Sequence, residues 1–285
     1  MIQSMTGFGK SVLQLPDKKI TIELKSLNSK NLDINARIPS QYREKELEMR
    51  NSIAKTLQRG KVDFGLYIEV TGEETTTVIN EVIISKYIQQ LRNITPGEDI
   101  DFLQMAVKLP DAIRTERPEL DESEYGLIKN NLDTAIAALV DFRRSEGLAL
   151  EKDLRHRLQN IHDQLRDVIA LNPERVEAVK QRIFKNIAEL KEEVDQNRFE
   201  QELIYYIEKL DISEEMVRLE KHLSYFSENL SSEDSNGKKL GFIAQEMGRE
   251  INTIGSKSNY APMQQLVTQM KDDLEKIKEQ LLNVL

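Results

Sequence analysis

Residues 154–168 read LRHRLQNIHDQLRDV, and the spacing of their apolar members decides how the rest of the chain is read. Leu154, Leu158, Ile161, Leu165 and Val168 lie 4, 3, 4 and 3 positions apart. This is the seam of a heptad repeat, one narrow apolar stripe along a helix. Upstream, Leu127, Ile136, Leu139 and Leu148 keep a helical period from about Glu122. Downstream, Asn172-Pro173 predicts a break, because Asn suits an N-cap and Pro the first helical position. Val176, Val179, Ile183, Ile187, Leu190 and Val194 then predict a second amphipathic helix. Such helices pack on their own domain or on another subunit, and the spacing leaves both open.

Further along, helical periodicity runs from near Arg198 to Leu230, and residues 231–239 (SSEDSNGKK) read as a polar loop. A helix from about Leu240 pauses at residues 255–259, and another starts at Pro262. Towards the N-terminus the period changes to two. Residues 19–27 (KITIELKSL) alternate, as do Leu32, Ile34, Ala36 and Ile38, which predicts two paired strands around a turn at residues 28–30. Ser40 is placed to cap a helix reaching about Leu57, with Leu47, Ile53 and Leu57 inward, ended by Arg59-Gly60. Residues 62–70 and 75–79 predict further strands, and residues 81–92 a short helix. The predicted fold class is α+β: a small mixed α/β N-terminal domain over residues 1–150, a long helical, coiled-coil-like arm over 151–200, and a helical C-terminal domain over 201–285.

Charged residues make up 31% of the 285 and apolar ones 39%, as in a globular protein rich in surface helix. With no Cys, disulfides and thiolate metal sites are excluded, and a cytoplasmic setting is expected. The first residues lack the basic start and apolar core of a signal peptide, and no run approaches a membrane span. The net charge of −9 is unevenly spread. Residues 1–70 hold twelve basic and eight acidic side chains, a net +4, which leaves −13 on the rest. A basic binding surface on an acidic body is one reading, and ordinary scatter of surface charge the other.

The chemistry concentrates near the C-terminal end. In residues 211–222 (DISEEMVRLEKH), Asp211, Glu215, Arg218 and His222 fall at i, i+4, i+7 and i+11, one stripe of a helix. Glu246, Arg249, Glu250 and Thr253 form a second stripe at i, i+3, i+4 and i+7. An antiparallel pair of helices would gather Glu215, His222, Glu246 and Glu250 around one space. Carboxylates with an imidazole suit Mg²⁺ or Mn²⁺, and such an ion generates a nucleophilic water beside a phosphodiester. Arg218 and Arg249 can pair with phosphate oxygens. The alternative is that both stripes are solvated ion-paired faces. Residues 255–259 (GSKSN) can cradle a phosphate or simply turn the chain, and are not a P-loop. Residues 5–9 (MTGFG) read as a turn or bulge bringing backbone close to a partner. With three His, two of them His156 and His162 on the arm, a paired-histidine mechanism has little to build on.

Together MTGFG at 5–9, ELKSLNSKNLD at 23–33, RGKV at 59–62, Glu146-Gly147, residues 211–222 and GKKLGFIAQEMGREINTIGSKSN at 237–259 resemble the YicC/YloC family of endoribonucleases. The resemblance implies RNA cleavage dependent on a divalent ion, Mn²⁺ or Mg²⁺, and a ring-like homo-oligomer, a hexamer, enclosing RNA. It makes Glu215, His222, Glu246 and Glu250 the leading catalytic and metal-binding candidates. Lys25, Asn28, Arg37, Arg59, Lys61, Arg218, Arg249 and Lys257 are the RNA-binding ones. A non-catalytic adaptor that presents RNA to another nuclease is the rival reading. Two positions depart from the family pattern: Leu285 stands where a terminal Glu is expected, and Pro110-Asp111 where Pro-Gly is usual.

Overall fold

Alternation of Ile20, Ile22 and Leu24 against polar neighbours builds a half-buried strand, and its buried side organises the N-terminal half. The computed structural model describes residues 2–57, 59–71, 77–115, 121–189, 196–232 and 237–285. The fold is α+β. Strands β1 (Gly7–Gln14), β2 (Lys18–Leu27), β3 (Leu32–Arg37) and β4 (Gly60–Val70) form one sheet in the order β1-β2-β4-β3. The expected pairing of β2 with β3 does not occur. β4 lies between them, antiparallel to β2 and parallel to β3. Both alternating runs are strands, but the short turn between them does not close a hairpin. β1, where a turn was expected, pairs with β2 along its whole length. It runs tight against a helix: a Cβ on Gly9 would stand 2.1 Å from the Ala135 carbonyl.

Ser40 does not cap a helix. Residues Ser40–Lys45 form a 3₁₀ turn after Pro39, and α1 is Glu46–Thr56. Met49, Ile53 and Leu57 are buried, whereas Leu47 is exposed. The strand expected at 75–79 is described from residue 77, as β5 (Thr77–Ile79), paired with β6 (Ile113–Thr115). Between them lie α2 (Glu81–Ile94) and α3 (Asp99–Ala106). Asp111, in the departing Pro-Asp pair, has φ 60°, the left-handed conformation that Gly favours.

The heptad stretch lies in α4 (Glu122–Glu189), a single 68-residue helix. The break expected at Asn172-Pro173 is absent, since α4 runs through Pro173. Pro173 has no N–H for the Ile169 carbonyl, and two residues on, Arg175 ties the same turn to neighbouring segments. The buried guanidinium donates to the carbonyls of Leu210 and Lys257, each at 3.0 Å, and to Asn172 Oδ1 at 3.0 Å. Asn172 is thus an acceptor for Arg175 rather than a cap. Of the second stripe Val179 is buried, while Leu190 and Val194, and the side chain of Ile187, lie outside the described residues.

The helical run expected from Arg198 to Leu230 is two helices, α5 (Gln196–Lys209) and α6 (Ser213–Leu230). Asp211 separates them, accepting from the Ser213 N–H at 3.2 Å and hydroxyl at 2.8 Å. Residues 233–236 of the expected polar loop lie outside the described residues, and α7 (Gly237–Lys257) begins directly after them. α7 continues through Gly255, and α8 (Ala261–Leu281) follows with Pro262 in its first turn.

α4 lines two hydrophobic cores. Ile128, Leu132, Ile136 and Leu139 pack with the buried side of the sheet and α1. Leu154, Leu158, Ile161, Leu165 and Val168 pack with α6, α7 and α8. Of the two readings left open for this seam, it is covered by its own chain. The 150/151 boundary falls inside α4, between the two packed stretches.

Candidate functional site

The two acidic stripes sit on α6 and α7. Each helix buries an apolar face, Met216, Leu219, Leu223 and Phe226 on one, Leu240, Ile243, Met247 and Ile251 on the other. The pair is antiparallel, since the last residue of α7 meets the start of α6. Lys257 Nζ donates to Glu215 Oε1 at 2.7 Å and to the Asp211 carbonyl at 2.9 Å. Asp211 is not in the helical stripe; it precedes α6. Hydrogen bonds from the Ser213 side chain, with backbone N–H groups and Lys257 adding less, hold its carboxyl below the usual range.

Glu215 is 8% exposed, and its Oε2 is enclosed with no hydrogen-bond partner among the described residues. The Glu215–Lys257 contact sets an antiparallel register that brings His222, seven residues on, about level with Glu250, seven residues back. Glu250 is 9% exposed; Glu246 and His222 are half-buried. Glu250 makes no ion pair among the described residues. Arg249 pairs with Glu246 at 3.0 Å, and Arg218 with Glu214, both on exposed helix surface. Lys257 is committed to Glu215.

Three carboxylates and an imidazole have the donor chemistry for Mn²⁺ or Mg²⁺. Among the described residues, however, no three His, Cys, Asp or Glu side chains converge closely enough to hold an ion. The candidates share one seam but do not form a complete ligand set among the described residues. Of the GSKSN stretch at 255–259, Gly255, Ser256 and Lys257 are the last residues of α7, and Ser258 and Asn259 begin the turn to α8. The carbonyls of Gly255 and Ser258 accept from Gln264 Nε2, at 2.6 and 2.5 Å.

The N-terminal candidates divide into two groups. Lys25, Arg37 and Lys61 are exposed on the solvent face of the sheet. Asn28 and Arg59 lie at a joint instead. Asn28 donates to the Leu282 carbonyl at 2.6 Å, and Arg59 to the Ser29 carbonyl at 3.3 Å. Sequence reasoning missed the centre of that joint, Arg143, which is 2% exposed with no carboxylate partner among the described residues. It donates to the Met5 carbonyl at 3.1 Å, to Ser26 Oγ and to the Arg59 carbonyl at 3.4 Å. Burial holds its pKa below that of an ordinary guanidinium. The MTGFG, ELKS and RGK segments therefore meet on one side chain, and Gly60 beside it takes φ +122°. A signal was present: Ile136, Leu139 and Arg143 fall at i, i+3 and i+7, on the buried stripe. Thr6 donates to Glu146 Oε2 at 2.8 Å, the Met5 N–H to the Asn283 carbonyl at 2.8 Å, and the Leu285 N–H to the Gln3 carbonyl at 2.9 Å. Residues 3–6 thereby clasp the tail beyond α8 to the sheet.

Residues 2–152 match the family described as "Endoribonuclease YicC-like, N-terminal region", and residues 168–285 match "Endoribonuclease YicC-like, C-terminal". Two curated relatives align over 100% of both chains. One, from Clostridioides difficile (strain 630), is 32% identical over 293 residues. The other, from Haemophilus influenzae, is 27% identical over 287 residues. Each carries the name "Probable endoribonuclease YicC".

Proposed function

We propose that this chain, which belongs to the YicC-like endoribonuclease family, hydrolyses phosphodiester bonds inside RNA with the help of a divalent cation, Mn²⁺ or Mg²⁺. The observation that carries this reading is the α6–α7 seam. Two carboxylates there, Glu215 and Glu250, are less than a tenth exposed, and among the described residues only Glu215 has a cation on it. Oε2 of Glu215 is enclosed with no hydrogen-bond partner among the described residues, and a buried carboxylate oxygen left unpaired is costly, which supports a use for it. Glu246, Glu250 and His222 carry the donor chemistry for the ion without converging on one point among the described residues, while Glu215, paired with Lys257, stands about 10 Å further along the seam. A bound divalent ion supplies an acidified water and a polarised phosphodiester.

The chain's own residues position the RNA. Lys25, Arg37 and Lys61 offer positive charge from the sheet. Arg218 and Arg249 can exchange their carboxylate partners for phosphate oxygens at the seam. The proposed assembly is a ring-like homo-oligomer, a hexamer, in the cytoplasm. No described helix is long and apolar enough to cross a membrane. The absence of three converging ligands favours one second reading, a non-catalytic adaptor that presents RNA to another nuclease.

Substitution separates the two. Glu246→Gln and Glu250→Gln keep the size and helical character of each side chain. In a nuclease they lower cleavage on the order of a hundredfold, the scale of losing one charge-stabilising group, while RNA binding persists. Cleavage unchanged in both variants removes the seam from the mechanism.

A further inference from the structure

The four-stranded sheet has one face in the core and one in solvent. On the solvent face stand two aromatic side chains, Phe8 of β1 at 39% exposure and Tyr67 of β4 at 48%. Neither contributes to a core. Tyr67 is held in place: its ring lies across Gly65, where a Cβ would stand 2.6 Å from ring carbon Cε2. Beside the ring is a pocket of about 140 Å³ lined by Lys25 and Arg37 together with Glu23, Asp63 and Asn35. Arg37 is directly opposite Gly65 across β3 and β4, and Lys25 is opposite Phe8 across β1 and β2. The Lys25 ammonium is 5.9 Å from the Phe8 ring centroid.

Charge on this face is sorted. Lys10 neutralises Glu23 at 2.9 Å, Lys19 pairs with Glu69 at 3.6 Å, and Asp63 accepts from Asn35 at 3.0 Å. Lys25, Arg37 and Lys61 have no carboxylate partner among the described residues, and set against the unpaired carboxylates of Asp33 and Asp63 on the same face they leave one positive charge over. Rings interleaved with uncommitted cations are the composition of a surface that stacks bases and neutralises the phosphates between them. A surface made to bury against a second protein copy has lysine depleted from its centre.

We propose that this sheet face is a stacking platform for unpaired RNA, with Tyr67 and Phe8 each receiving a base, Lys25 and Arg37 the phosphates between them, and Lys61, beyond Phe8 in the register, a flanking phosphate. The proposal rests on the nuclease reading for its ligand class and adds that the bound segment is single-stranded. A duplex keeps its base faces stacked internally and has none to offer a ring.

The chain has no Trp, so Tyr67→Trp installs a unique reporter. Titration with a twelve-nucleotide oligouridylate should quench the indole by stacking, whereas a duplex of the same length leaves it unchanged. By anisotropy, Tyr67→Leu still covers Gly65 but lacks a π-face, and should weaken binding of labelled oligouridylate about tenfold. Phe8→Ala should do the same, and Tyr67→Phe should bind like the parent. Equal quenching by duplex, or unchanged affinity in Tyr67→Leu and Phe8→Ala while the parent still cleaves RNA, overturns the platform and leaves the nuclease intact. A drop in oligomer mass in Tyr67→Leu also overturns it, by showing that a second copy occupies the face. A parent protein that neither binds nor cuts RNA sinks both readings.

Discussion

Asp111 holds a conformation its side chain does not favour. At φ 60° a residue with a Cβ is strained, and Asp tolerates this better than most because its short carboxylate hydrogen-bonds locally. Asp111→Val should therefore lower stability by about 1–3 kcal/mol in urea denaturation, while Asp111→Gly should lower it not at all. Equal losses in the two variants would refute the strain. This residue shows what is legible locally. A Pro-Asp pair standing where Pro-Gly is usual flagged a backbone question, and the backbone has the Gly-like geometry. Arg143 was not legible in the same way. Its three acceptors come from segments around residues 5, 26 and 59, and only the fold brings them together. The acidic stripes were legible as stripes, because helical spacing places Glu215 with His222, and Glu246 with Glu250. Their burial was not, since it depends on which faces of α6 and α7 meet.

At the scale of elements, periodicity identified segments better than it identified their neighbours. Alternation marked β2, β3 and β4, yet β4 inserts between the other two, and a parallel partner leaves no trace in local spacing. β1 escaped because two glycines and a flanking Phe read as a turn. Those glycines serve close approach to α4 instead. The break expected at Pro173 illustrates tertiary override: the helix carries a proline penalty of about 3 kcal/mol within a turn that Arg175 ties to the carbonyls of Leu210 and Lys257. Pro173→Ala restores a donor for the Ile169 carbonyl. It should raise stability by about 1–3 kcal/mol, read as a higher melting temperature without loss of helical circular dichroism. A lower melting temperature would mean that α4 needs the local distortion proline imposes.

At the scale of the molecule, α4 joins a sheet core to a helical core, and residues 3–6 with the tail after α8 clasp the two a second time. In the proposed function this arrangement separates RNA binding from cleavage. The sheet presents uncommitted cations and two rings, and the helical core presents the buried carboxylates of the α6–α7 seam. The excess of +4 in residues 1–70, within a protein of net charge −9, is the trace in the charge distribution of the RNA-binding face proposed above. The central claim is internal cleavage of RNA by this chain itself. It is tested most directly by passing the purified protein through a sizing column and assaying each fraction on an end-labelled structured RNA, with Mn²⁺ and with excess EDTA. The account predicts internal cuts whose yield follows the protein peak and disappears in EDTA. Cuts that elute apart from the peak, or a peak that binds the RNA and leaves it whole in Mn²⁺ and in Mg²⁺, would contradict it.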